Sequence, residues 1–144
     1  MSQSLRDQLL LHEGIRLKPY RDTVGKLTIG VGRNLDDVGI SYEEALVLLD
    51  NDILRAQSAV MHALHWAAHL DRARFEVLVN MAFNLGINGL LGFPRFLAAL
   101  EAGDYPKAAR EMLDSKWARQ VGQRAVELAT IMDPTGSGGS GGGN

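Results

Sequence analysis

Apolar side chains recur in helical rhythm along most of this chain and lose that rhythm over one short stretch. Leu5, Leu9 and Leu10, with His12 beside them, fall on one face of a first helix. It opens at Ser2 or Ser4, where Ser4 and Asp7 form a capping pair. Gly14 stops it and leaves Glu13 at its end. From Leu17 to Asn34 the pattern breaks into short runs (LKPY, KLTIGVG) around the turn-rich RDTVGK. With Pro19, Gly25, Gly30 and Gly32 in this stretch, a small antiparallel hairpin is predicted.

Beyond the hairpin the helical rhythm returns. Ser41 and Glu44 make a second capping box, and Leu46, Leu49, Ile53, Ala56, Val60 and Leu64 recur at spacings of 3, 4, 3, 4 and 4. That predicts a long amphipathic helix. Asp71 caps a helix through Phe75, Leu78, Val79, Ala82 and Phe83, stopped by Gly86. Another runs from about Leu90 to Glu101, a further one from the Asp104 cap through Met112, and a last from Gln123 to Met132 before Pro134. The final stretch, TGSGGSGGGN, has nothing to pack and reads as a flexible linker or tail over 135–144, natural or engineered.

At 144 residues the chain suits one domain, or two small lobes sharing a core. No apolar run approaches the roughly 20 residues of a membrane span, and no secretory signal is visible. The absence of cysteine excludes a disulfide framework, a thiolate metal site and a cysteine nucleophile together. A net charge of −2 argues against nucleic acid as partner. The charges are nonetheless segmented. Residues 1–35 carry six basic and three acidic groups, residues 36–54 six acidic and none basic, and residues 106–124 five basic and two acidic. Basic segments meeting in space could face an anionic polymer, although ordinary surface charge explains the same pattern.

Two carboxyl groups stand out chemically. Glu13, at a helix C-terminus, faces the negative end of the helix dipole, which favours the protonated state that a general acid needs. Asp22, in the turn between Arg21 and Lys26, is held toward its charged form. Carboxyls driven apart in this way form an acid/base pair, while a solvated helix end and an ordinary turn residue remain the plain alternative. His62, His65 and His69 are spaced three and four apart near a helix end. Without a carboxylate in that stretch they read as surface or half-buried histidines, not metal ligands.

The string H-E-G-I-R-L-K-P-Y-R-D-T-V-G-K-L-T-I-G-V-G, His12 to Gly32, resembles the catalytic segment of phage-type lysozymes, glycoside hydrolase family 24. Downstream, N-M-A-F-N-L-G from Asn80, then Gly92-Phe93, Ala108-Ala109, Ser115-Lys116-Trp117 and Arg124-Ala125 follow in the family's order, so that the likeness covers about residues 5–130. It implies a mostly helical α+β lysozyme fold: a β-hairpin lobe at about 14–40, a connecting helix at about 42–65, and a helical lobe at about 70–132 that includes the N-terminal helix.

The resemblance also implies function. Glu13 matches the catalytic acid, Asp22 the second carboxylate and Thr28 the residue that helps hold the attacking water, in hydrolysis of the β-1,4 bond between N-acetylmuramic acid and N-acetylglucosamine, with inversion. Gly30, Asn34, Phe83, Asn84 and Arg124 match substrate-facing positions. Gly30 and Gly32 would allow close backbone approach beside the sugar, or simply form a turn. Phe83 suits cleft and core equally. Arg124 is expected to pair with Glu13, and Trp117 to be buried. Arg33 stands where many relatives carry a histidine, and an ion pair with Asp52 is expected. Phe96 and Glu111 depart from the smaller polar groups of relatives. No cofactor is implied. Peptidoglycan is the partner, the chain is expected to be a monomer, and from the host cytoplasm it would need a holin-like protein to reach the wall. The alternatives are a catalytically silent glycan-binding relative and a lysozyme module of a larger tail or effector protein.

Overall fold

A computed structural model describes residues 4–136. Helix α1, Leu5–Glu13, begins where the Ser4 hydroxyl accepts the Asp7 N–H at 3.0 Å. It ends at Gly14, whose φ of 71° turns the chain out of the helix while its N–H donates to Leu10. Three short strands follow, β1 Arg16–Arg21, β2 Leu27–Gly30 and β3 Arg33–Asn34, in an antiparallel sheet of order β1-β2-β3. Arg16 pairs with Gly30 and Tyr20 with Thr28, with an irregularity between them. Thr28 pairs in turn with Asn34. The hairpin is therefore as expected, and β3 adds a strand that a two-residue segment could not announce by periodicity.

Helix α2, Tyr42–Ala63, starts from the predicted capping box. The Glu44 N–H donates to Ser41 Oγ at 3.1 Å, and the Ser41 N–H donates to Glu44 Oε1 at 2.8 Å. A 3₁₀ turn at His65–His69 leads to α3, Arg72–Leu91, capped by Asp71. Gly86 breaks α3 at φ 77° as anticipated, but the chain resumes helical geometry at once. Helix α4, Pro94–Glu101, accordingly starts later than expected, with proline in its first turn. Helices α5, Tyr105–Leu113, and α7, Gln123–Met132, are close to prediction. Helix α6, Lys116–Val121, was not foreseen; it is short, and Ser115 caps it through the Ala118 N–H. Of the Gly/Ser stretch read as a linker, residues 137–144 lie outside the described residues.

Contacts within the chain divide it into two units, the first ending at Leu49 and the second beginning at Asp50, so the boundary falls inside α2. The first unit carries α1 and the sheet. Among its described residues Thr28 alone is buried. The second unit holds the apolar core, in which Val60, Leu78, Met81, Phe96 and Met112 are essentially inaccessible. Trp117 is buried there as expected. Its ring stands edge-on to Phe93, and its Nε1–H donates to Asn84 Oδ1 at 2.9 Å. Arg74 ties the end of α7 to α3: Nε donates to the Met132 carbonyl, and the guanidinium lies 3.4 Å from the Tyr105 ring centroid. The fold is α+β, mostly helical with one small antiparallel sheet. No single helix among the described residues is long and apolar enough to cross a membrane.

Candidate active site

Glu13 is the last residue of α1, and its side chain is exposed. Asp22 opens the β1–β2 turn and is half-buried. Its Oδ1 accepts two backbone N–H groups, from Val24 at 3.0 Å and from Lys26 at 2.8 Å, an arrangement in which a short carboxylate closes its own turn. The Asp22 N–H in turn donates to the Lys26 carbonyl at 2.9 Å. Thr28, two residues on, is 3% exposed, and its hydroxyl also donates to that carbonyl, at 2.8 Å. The peptide groups of Lys26 thus orient both side chains. Asp22 retains Oδ2 as an acceptor. Thr28, having given away its single proton, has only acceptor capacity left.

The remaining candidates divide by unit. In the first, Gly30 and Asn34 line a groove of about 730 Å³ with Ile29, Val38 and Val47. The Asn34 carboxamide, however, is committed to its own turn. Nδ2 donates to Asp37 Oδ2 at 3.1 Å, and Oδ1 accepts the Asp37 N–H at 3.0 Å. In the second unit Phe83 is 44% exposed and borders a hollow of about 400 Å³ floored by Ala56, Ala59 and Ala82. Asn84 holds the Trp117 indole. Arg124 donates from Nε and Nη2 to Asn80 Oδ1, at 3.1 and 2.7 Å, which joins α7 to α3. Among the described residues no group of three or more histidines and carboxylates is placed to hold a metal ion.

One expected contact is replaced. Arg33 does not pair with Asp52. Its Nη1 and Nη2 donate to the two oxygens of Glu44 at 2.7 and 2.6 Å, and Nη1 also donates to the Gly39 carbonyl at 3.0 Å. Asp52 instead accepts from Arg55, one turn along the same helix, at 2.9 Å. The reason is reach. The tight turn that follows β3 sets Arg33 against the first turn of α2, whereas Asp52 lies eight residues farther on, about 12 Å of helix. The bidentate geometry drives the Glu44 carboxyl down to about 2, chiefly through the Arg33 hydrogen bonds with help from the Ser41 N–H, and raises Arg33 in return. The Ser41–Glu44 capping box was the available signal. It anchors Glu44 at a helix start eleven residues from Arg33.

A family model described as phage lysozyme matches residues 11–130. The chain is similar to the pre-baseplate central spike protein Gp5 of Enterobacteria phage T4, 31% identical over 91% of this chain and 28% of that protein. It is 26% identical to a probable T4-type lysozyme of Dictyostelium discoideum, over 92% of this chain and 95% of that one. With the SAR-endolysin of Escherichia phage Mu it shares 31%, over 88% and 78%. The chain therefore spans little more than a quarter of the spike protein but nearly all of the Dictyostelium lysozyme. The matched region contains the Glu13 helix end, the Asp22 turn and the buried Thr28, and the chain belongs to the phage lysozyme family.

Proposed function

We propose that this chain lyses bacterial cells by hydrolysing the β-1,4 bond between N-acetylmuramic acid and N-acetylglucosamine of peptidoglycan, with Glu13 as acid and Asp22 with Thr28 as the water site. Membership of the family makes it a peptidoglycan hydrolase. The observation that carries the residue assignment is that both side chains are oriented by the backbone of Lys26. Because the Lys26 carbonyl takes the Thr28 proton and the Lys26 N–H holds Asp22 Oδ1, both remaining acceptors are tied to the backbone of one residue. A water bound to Asp22 Oδ2 and Thr28 Oγ1 directs both its hydrogens at the protein and its lone pair outward. Glu13 protonates the leaving oxygen as the anomeric centre becomes oxocarbenium-like, Asp22 takes the proton of the attacking water, and Asp22 also stabilises the developing positive charge.

Inversion is the stereochemistry that this arrangement favours. Glu13 and Asp22 flank opposite ends of β2, a four-residue strand whose rise is about 3.4 Å per residue. The three steps from Leu27 to Gly30 amount to about 10 Å of backbone, nearer to the roughly 6.5–9.5 Å of an inverting pair, which leaves room for a water, than to the roughly 5–5.5 Å of a retaining one. Gly30 and Asn34 are assigned to the glycan through backbone groups at the groove, since the Asn34 side chain is engaged. Phe83 is assigned as a sugar-facing aromatic, while Asn84 and Arg124 support it through Trp117 and Asn80. The protein works without a cofactor, as a monomer, and reaches the wall from the host cytoplasm through a lesion made by a separate holin-like protein. The similarity to a spike protein of far greater length supports a second context, the same enzyme as one module of a larger assembly; the length of the parent gene decides between them.

The test is turbidity clearing of outer-membrane-permeabilised cells by wild type and Glu13→Gln. A loss of about 100- to 10,000-fold is expected for removal of a general acid. Equal clearing would overturn the assignment, and clearing by neither would point to a silent glycan-binding relative. Products ending in anhydro-muramic acid would mark a transglycosylase, and the anomer first released reports inversion or retention.

A further inference from the structure

Two glycines border the turn from β2 to β3, Gly30 ending the strand and Gly32 preceding β3, with nearly the same φ and different surroundings. Gly30 has φ 71° and Gly32 has φ 74°. A Cβ added to Gly30 would meet nothing within 4 Å. At Gly32 it would stand 2.8 Å from Oε1 of Glu13, 3.3 Å from Cδ and 3.6 Å from Cγ. The space in front of Gly32 is thus taken up by the terminal half of the Glu13 side chain. The sheet register explains why. Arg16 pairs with Gly30, so Glu13, three residues before Arg16, lies beyond the end of β2 beside the loop that leaves it.

We infer that Gly32 is a positioning residue for the acid: its missing side chain sets where the Glu13 carboxyl can lie, and any side chain there would displace the carboxyl from the glycosidic oxygen. The inference rests on the reading of Glu13 as the acid. Glu13 is the last residue of its helix, and its carboxyl lies against Gly32 within the same unit. Within that unit the room open to the carboxyl is bounded by what it packs against. On one side that is the bare backbone of Gly32, approached to a distance that only glycine allows. The role differs from a glycine that merely admits a sugar, because the atoms filling the space belong to the enzyme.

The experiment is a kinetic cycle on soluble peptidoglycan fragments. Gly32→Ala is expected to lower kcat about 100-fold with KM within about twofold, the size of effect produced by misplacing a reacting group by roughly 1 Å. Gly103→Ala carries the same left-handed backbone, φ 79°, with nothing within 4 Å; it is the control for backbone strain and retains wild-type kcat. In the Glu13→Gln background Gly32→Ala produces no further loss, and in the Glu13→Asp background, where the acid is one methylene shorter, it costs less than in wild type. If Gly32→Ala is poorly folded by circular dichroism, Gly32→Asn replaces it, since asparagine tolerates positive φ and crowds the same carboxyl. Unchanged kcat in the folded variant, or an equal loss with and without the Glu13 carboxyl, would overturn the inference. Wild-type activity of Glu13→Gln itself would instead overturn the assignment of the acid.

Discussion

The two units of this chain are held together by different means. From Ala56 onward apolar side chains are buried in quantity, and α3, α4, α5 and α7 present them to one another. In the first unit Leu5, Leu11, Ile15, Leu17, Val24 and Val38 are all more than 60% exposed, and order comes from local hydrogen bonds instead. The Asp22 carboxylate closes one turn and the Asn34–Asp37 pair another. Asp36 accepts the Leu27 N–H at 2.8 Å, and Arg33 joins Gly39 to the start of α2. Packed apolar cores resist deformation at every methylene, whereas hydrogen-bonded turns depend on a few polar groups, each contributing about 1 kcal/mol. The residues proposed as catalytic sit on the second kind of framework, where a polar side chain can serve the turn and the proposed reaction together.

The contrast is broken most severely by altering chemistry without altering the framework. Asp22→Asn keeps an oxygen for the Val24 and Lys26 N–H groups but loses the charge. Its clearing activity falls by orders of magnitude, while its melting temperature stays near wild type. Asp22→Ala loses both, and denaturant titration registers a further stability cost of about 1–3 kcal/mol for the abandoned backbone donors. Equal stability of the two variants would show that the turn does not need the side chain. Next in size is the core of the second unit. Leu78, wholly inaccessible, is replaced by Ala at a cost of about 2–5 kcal/mol by chemical denaturation.

The smallest effect is set by pH. The Glu44 carboxyl is held at about 2 in the folded chain, below its ordinary 4.5, by Arg33 first and by the Ser41 N–H. A depressed carboxyl contributes stability above its unfolded value and loses that contribution as pH falls from about 4.5 toward 2. Glu44→Gln therefore melts below wild type at pH 6, and the gap closes on acidification. Both partners are more than a third exposed, so added salt narrows the gap as well. A gap independent of pH would mean that packing at the helix start, not the charge pair, is responsible.

Much of this was legible in one dimension. Ser4, Ser41, Asp71 and Asp104 each stand before an apolar repeat, and each becomes a helix cap because capping involves groups only two or three residues apart. The hairpin was equally clear from its glycines, and Glu13, Asp22 and Thr28 from a run of residues in family order. Helix α6 was missed because six residues are too few to show a period.

Partnership was not written in the same way. Which carboxylate takes Arg33, that Asn34 serves its own turn, that Asn84 receives the Trp117 indole and Arg124 binds Asn80 all depend on distances between segments 3 to 44 residues apart. The same holds for Gly32. A glycine after Val31 announces a turn, but only the pairing of Arg16 with Gly30 brings the Glu13 carboxyl against it. Periodicity, caps and turns are local properties of the backbone and follow from residue order. The neighbours of a side chain follow from register and packing, which exist only once the chain has folded.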